Sequence, residues 1–207
     1  MPVFHNVDQN TDEWLELRAG KVTGSSIAKI MANYGKAFGE PAKKYAADIA
    51  NERLKGSAIM GDRYTNAHME AGHAEEPVAR MLYEDMTFST VTNGGFFDNG
   101  KTGCSPDGLV GEDGMIEIKS VVPSTHYKVI KTGTFDPSYK WQIMFNLKET
   151  GRDWLDYVSF CEQFYQPKRL VVARVLASDS VEFFEKIDTR LLEFEQIVEQ
   201  ITDDILS

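Results

Sequence analysis

The chain has 207 residues, 42% hydrophobic and 26% charged, with a formal net charge of -10. This suits one globular domain with a sizeable core and argues against a general polyanion binder, whose surface would be basic throughout. Two cysteines, Cys104 and Cys161, are too few for a four-cysteine metal site or a disulfide framework. No apolar run reaches the roughly 18 residues of a membrane span. Met1-Pro2-Val3-Phe4-His5-Asn6 lacks the basic and apolar regions of a signal peptide. The expectation is a cytoplasmic protein with no membrane partner.

In chain order, Thr11 to Arg18 reads as a short helix with a capping Thr and early acids, stopped by Gly20. Ser25 or Ser26 opens a second helix through Ile27, Ile30 and Met31. Helical patterns follow over 41–56 and about 66–86, the latter placing Val78, Met81 and Leu82 on one face. The period then changes. Gly95-Phe96-Phe97, Thr102 to Val110 and Met115 to Lys119 read as strands separated by Asp98-Asn99-Gly100 and Glu112-Asp113-Gly114. A helix over 137–149 opens at Pro137 and closes near Gly151. Strands over 155–164 and 168–177 turn at Gln166-Pro167. Apolar residues at Phe184, Ile187, Leu191, Phe194, Val198, Ile201 and Ile205 form a terminal amphipathic helix. No repeat or long linker appears. The expected architecture is a single α/β (α+β) domain over residues 1–207, a central mixed sheet flanked by helices.

The chemistry concentrates in Ser105-Pro106-Asp107-Gly108 and Ile116-Glu117-Ile118-Lys119. Period two puts Glu117 and Lys119 on the strand face shared with Met115, and turns Ile116 and Ile118 to the core. A hairpin between Val110 and Met115 brings Asp107 alongside. Two carboxylates and an ammonium then converge, a hard-oxygen site suited to Mg²⁺ or Mn²⁺. Desolvation and nearby positive charge would lower the lysine's pKa and let it orient or help deprotonate a water. A lone Glu-x-Lys on a strand is usually a solvated ion pair; the upstream Pro-Asp-Gly turn shifts the balance toward a site.

Asp107, nine intervening residues and Glu117-Ile118-Lys119 resemble the PD-(D/E)xK nuclease signature. Trp14, Arg18, Gly20-Lys21-Val22-Thr23-Gly24-Ser25, Gly72-His73-Ala74-Glu75-Glu76 with Arg80, and Tyr139-Lys140-Trp141-Gln142 narrow the resemblance to the lambda-exonuclease or YqaJ-like viral recombinase family. These elements occur in the family's order, and the fold it implies is restriction-endonuclease-like.

The resemblance implies one or two Mg²⁺ ions (Mn²⁺ as substitute) held by Glu76, Asp107, Glu117 and the Ile118 carbonyl. Glu75 is the rival to Glu76. It implies that Lys119 positions and activates water and that Gln142 holds water or the scissile phosphate. Where the family often has a second Gln, this chain has Met144. Arg18 and Ser25 resemble a pocket for a terminal 5′ phosphate, in keeping with bidentate Arg chemistry. Trp14 and Tyr139 join them as DNA contacts, although a Trp at such a position is more often a core residue and Tyr139 also has a core alternative. Ser25 also reads as a helix cap, and Glu76 as an exposed acid paired with Arg80. His68 and His73, five apart, carry no metal spacing.

The family further implies a homotrimeric ring around duplex DNA ends bearing a 5′ phosphate, and a single-strand annealing protein as partner. Lys36, Lys43, Lys44, Lys128 and Lys131 are candidates for its bore. The expected function is 5′-to-3′ double-strand DNA exonuclease activity in phage-type recombination. A restriction-like endonuclease and a catalytically degenerate DNA-end-binding module are the alternatives.

Overall fold

The computed structural model describes residues 1–59 and 67–207, and only the backbone of 67–73. Its elements begin with β1 (Val3–His5), α1 (Asp12–Arg18), β2 (Val22–Thr23), α2 (Ile27–Met31), α3 (Glu40–Lys55) and α4 (Ala67–Thr87). Then come β3 (Val91–Thr92), β4 (Phe96–Asp98), β5 (Thr102–Cys104), β6 (Gly108–Val110) and β7 (Gly114–Ser120). The chain ends with α5 (Pro123–Thr132), α6 (Lys140–Thr150), β8 (Trp154–Phe160), β9 (Leu170–Leu176) and α7 (Val181–Leu206).

The expected mixed, helix-flanked architecture is present, as two sheets rather than one. A five-stranded sheet runs β3-β6-β7-β8-β9, and a four-stranded sheet runs β1-β4-β5-β2. In the larger sheet only β7 and β8 are parallel, in register from Gly114↔Trp154 to Ser120↔Phe160. The stretch expected as one strand, Thr102 to Val110, is divided between the sheets. Its first part is β5, its last part β6, and Ser105-Pro106-Asp107 crosses between them. Proline cannot donate to a ladder, so a break at Pro106 follows from its chemistry; its carbonyl accepts from Gln9 Nε2 at 3.1 Å.

β7 is covered on both faces, as a strand in a parallel pairing should be. Met115 lies in the larger core, with Ile49 of α3, Phe145 and Leu147 of α6, and Phe194 of α7. Ile116 and Ile118 lie in a second core beneath α4, with Ala79, Tyr83 and Val158. Met115 is therefore as buried as the isoleucines assigned to the core.

α4 turns to the core a face next to the one its apolar spacing predicts. Val78 and Met81 are 40% and 55% exposed, whereas Ala79 and Tyr83 are fully buried; Leu82 is packed at the edge of that core. The small Ala79 permits close approach to the sheet. The Tyr83 hydroxyl donates to Asp156 at 2.8 Å, and Arg174 engages the same carboxylate through two bonds of 2.8 Å. A polar pair thus sets the helix's rotation where apolar spacing suggested a neighbouring face.

α5 has no counterpart among the sequence expectations. The helix expected over 137–149 is a 3-10 turn at Pro137–Tyr139 followed by α6, which ends at Gly151 with φ 68°. Strands expected over 155–164 and 168–177 are shorter, and Gln166–Lys168 forms a 3-10 turn. α7 buries Ile187, Phe194 and Val198, with Phe184, Leu191 and Ile201 beside them; Ile205 is exposed beyond the core. Arg53 of α3 fixes α7 through a two-pronged pair with Glu195, at 2.5 and 3.1 Å. Among the described residues no helix is long and apolar enough to cross a membrane.

Candidate active site

The site lies where the chain passes from one sheet to the other. β6 and β7 pair as an antiparallel hairpin, with Gly108 opposite Ile116 and Val110 opposite Gly114. Gly108 must be small: a Cβ there would stand 2.3 Å from Val91 Cγ1 and 2.8 Å from Arg80 Nη2. Just before it, the Asp107 backbone amide donates to the Ile116 carbonyl at 3.1 Å. Asp107 Oδ2 accepts the Ile118 amide at 2.6 Å, and Arg80 donates to the Asp107 carbonyl at 3.1 Å. Backbone and side chain of Asp107 are thereby fastened to the strand that carries Glu117 and Lys119.

Glu117 is 1% exposed and points toward α6. Its Oε1 lies 2.5 Å from Lys119 Nζ and accepts from Gln142 Nε2 at 2.5 Å. Its Oε2 accepts from Asn146 Nδ2 at 2.9 Å. Gln142 and Asn146 are four apart on α6, hence on one face of it. Lys119 Nζ also lies 5.3 Å from the centre of the Tyr139 ring, and Tyr139 stands 5.8 Å from Tyr157.

Burial lifts the Glu117 carboxyl to about 7, aided by the negative charge of Asp107. Glu76 on α4 rises to about 7 for the same two reasons, against opposing pulls from Arg80 and Lys119. Glu76, Asp107, Glu117 and Lys119 therefore form one electrostatic cluster. Burial alone would depress Lys119, but the Glu117 and Asp107 carboxylates outweigh it and move the ammonium upward. That is opposite to the direction expected from the sequence, because two buried acids face this lysine.

Among the described residues, no three His, Cys, Asp or Glu side chains stand ready as a group of ligands. Glu117 has given its oxygens to Lys119, Gln142 and Asn146, and Asp107 has given one to Ile118. The donor set still fits a hard cation. Three carboxylates and a backbone carbonyl are oxygen ligands, and carboxyls raised by burial and mutual repulsion are relieved by an added positive charge.

The second group gathers around Arg18, at the end of α1. Arg18 Nη2 donates to Thr23 Oγ1 at 3.3 Å and to Ser25 Oγ at 3.4 Å. Its guanidinium lies 4.0 Å from the centre of the Trp14 ring. Trp14 is buried with Val7, Leu15 and Phe96, and its indole N–H donates to Ser105 Oγ at 2.7 Å. Ser25 is exposed, and the helix cap belongs to Ser26, which makes no side-chain cap bond. Ser105 and Asp107, two residues apart on the crossing, thus face the Arg18 group and the carboxylate group respectively.

The structure brings Asp107, Glu117, Lys119, Gln142 and Ile118 together, and Trp14, Arg18 and Ser25 together. Glu76 joins the first group through its charge, and Tyr139 through its ring. Arg80 donates to the Thr92 and Asp107 carbonyls. Lys36, Lys43, Lys44, Lys128 and Lys131 are all exposed or at the surface edge, and Lys43 pairs with Glu40. The side chains of His68 and His73, and the surroundings of Gly72, lie outside the described residues. Thr23, Ser105 and Asn146 are additional members. Thr23 and Ser105 lie within the quoted motifs, and the sequence signal for Asn146 is its four-residue spacing from Gln142 on one helix face.

The YqaJ-like viral recombinase domain matches residues 13–153. The chain belongs to that family. An alkaline exonuclease from Laribacter hongkongensis is 33% identical, with TM-score 0.78, covering 95% of this chain and 98% of that one. The same enzyme in complex with dAMP matches at 32% identity and TM-score 0.78, with the same coverage. A phage-related exonuclease from Haemophilus somnus 129PT shares the fold at 17% identity and TM-score 0.69, over 89% of this chain and 96% of that one. No curated protein matches the chain. The family and the Laribacter hongkongensis enzyme support a nuclease, a phosphodiester hydrolase of the exonuclease type.

Proposed function

We propose that residues 1–207 form one Mg²⁺-dependent 5′-to-3′ double-strand DNA exonuclease domain that releases 5′ mononucleotides and leaves 3′ single strand. The observation that carries this reading is the meeting of Lys119 and Gln142 on one oxygen of Glu117, with Asp107 clasped to the same strand.

Asp107, Glu117, Glu76 and the Ile118 carbonyl would hold one or two divalent ions, Mg²⁺ or in its place Mn²⁺. Such an ion supplies Lewis-acid polarisation of a phosphoryl oxygen and lowers the pKa of a bound water. The protein's own residues do the rest. Lys119 keeps a donor and a positive charge beside the phosphate, where negative charge grows during displacement. Gln142 holds Glu117 in one orientation and offers its remaining N–H to water or phosphate. Arg18, Ser25 and Thr23 present a fork and two hydroxyls suited to a terminal phosphate, with Trp14 as the platform beneath the guanidinium. Tyr139 flanks the lysine with the face of its ring.

The acidic chain agrees with a ring whose outer surface repels DNA and whose bore attracts it. We therefore propose a homotrimer acting on duplex ends in a bacterial cytosol during phage-type recombination, with a single-strand annealing protein taking the exposed strand. Linear duplex carrying a 5′ or a 3′ label at one end tests the assignment. Early loss of the 5′ label as mononucleotide, with closed circles untouched, is expected. Early loss of the 3′ label contradicts the polarity, and rapid cutting of closed circles points to an endonuclease.

A further inference from the structure

We propose that Asn146 is a positioning residue for Glu117, and that residue 24 is glycine because the Asn146 carboxamide occupies the place of its side chain. The inference rests on the nuclease reading above. Asn146 is 1% exposed. Its Nδ2 donates to Glu117 Oε2 at 2.9 Å, while Gln142 takes Oε1. The carboxylate is thus gripped on both oxygens from one helix, and it is free neither to change rotamer nor to flip. Groups that orient a metal ligand in this way typically change metal affinity or activity by about 10–100-fold when mutated.

The other end of the carboxamide identifies the constraint. Asn146 Oδ1 is buried and has no hydrogen-bond partner among the described residues. With Glu117 ionised, the form in which it would hold a metal ion, reversing the amide would set Oδ1 against Oε2, two acceptors face to face, so the carboxylate fixes the orientation and the orphan oxygen is its consequence. That oxygen points at the chain between Thr23 and Ser25. A Cβ on Gly24 would stand 2.4 Å from it and 3.6 Å from Phe145 Cδ1. Thr23 and Ser25, on either side, receive Arg18. The loop that builds the Arg18 group and the helix that orients Glu117 therefore share a thin wall made of Gly24 and Asn146.

The test is a Mg²⁺ titration of turnover on linear duplex, alongside Mn²⁺ binding followed by electron paramagnetic resonance, for wild type, Asn146→Ala, Gly24→Ala and the double variant. Asn146→Ala is expected to raise the half-saturating Mg²⁺ concentration about tenfold, with the KM for DNA within about twofold of wild type. Gly24→Ala, which pushes the carboxamide off Glu117, is expected to do the same. With the carboxamide gone a methyl group at position 24 fits, so the double variant should be no worse than Asn146→Ala alone. Wild-type Mg²⁺ dependence in both single variants overturns the proposal, as do losses that multiply in the double variant. If Asn146→Ala fails to fold, Gly24→Ala carries the same titration. Absence of Mg²⁺-dependent turnover in the wild type would remove the nuclease reading instead, and the Mn²⁺ measurements would still decide the role of Asn146.

Discussion

Asp107 Oδ2 accepts the backbone amide of Ile118 at 2.6 Å, joining the crossing between the sheets to the middle of the strand that carries Glu117 and Lys119. The same carboxylate therefore has two separable tasks. It clasps the hairpin as an acceptor, and it carries charge into the site.

Asp107→Asn keeps an acceptor for Ile118 and removes the charge, so the fold should persist while turnover falls by about 10²-fold or more. Asp107→Ala also leaves the Ile118 amide without its partner and should cost roughly a further 1–3 kcal/mol of stability. Denaturant unfolding beside nucleotide release separates the two effects.

Glu76 and Glu117 are raised to about 7 by burial and by Asp107. A carboxyl whose folded pKa lies above its unfolded value holds its proton longer in the native state. Its stabilising contribution is complete below the unfolded value, around 4.5, and is lost as pH rises through about 7. Metal-free protein should thus melt at lower temperature as pH rises through that window. Mg²⁺ binds the deprotonated carboxylates, so its stabilising effect and the turnover should both grow across the same window. Calorimetry from about pH 5 to about pH 8.5, with and without Mg²⁺, checks the sign; a cation effect larger at the acid end would contradict it.

Arg18 donates to Thr23 and Ser25 above the Trp14 ring. If this group receives a terminal phosphate, Arg18→Ala should reduce the preference for 5′-phosphorylated over unphosphorylated ends by about tenfold, the value of one charge-assisted contact. Trp14→Phe, which loses the bond to Ser105, should weaken the preference less. Matched duplexes differing only in the end group provide the measurement, and an unchanged ratio in Arg18→Ala would remove the pocket assignment.

On the far face of the sheet, Tyr83→Phe deletes one hydrogen bond to Asp156 and leaves Arg174 on the carboxylate. A loss of about 0.5–1.5 kcal/mol is expected, with turnover per folded molecule close to wild type, because the ring of residue 83 stays packed with Ala79 and Val158 and keeps α4, and with it Glu76, in place. Urea unfolding and activity at low temperature test both halves of that statement.

The hairpin and its acids were legible because period two and turn residues are local signals. Glu117, Lys119 and Asp107 needed only a strand, a turn and a strand. What was hidden was set by tertiary partners. Ala79 and Tyr83 face the core because Asp156 waits for a hydroxyl, which no spacing within α4 encodes. Strands of two or three residues, such as β2 and β3, are too short to show a period. The division of Thr102 to Val110 between two sheets had one local sign, Pro106, inside an otherwise strand-like run. Asn146 lies in a helix buried on nearly every side, so its polar contact is visible only once Glu117 is placed beside it.

The role of Lys119 is tested most directly by release of 5′ mononucleotides from linear duplex in Mg²⁺ by wild type and by Lys119→Ala, each shown to be folded. Steady release by the wild type and a loss of at least about 10²-fold in the variant are expected. Equal release by both proteins would contradict that role.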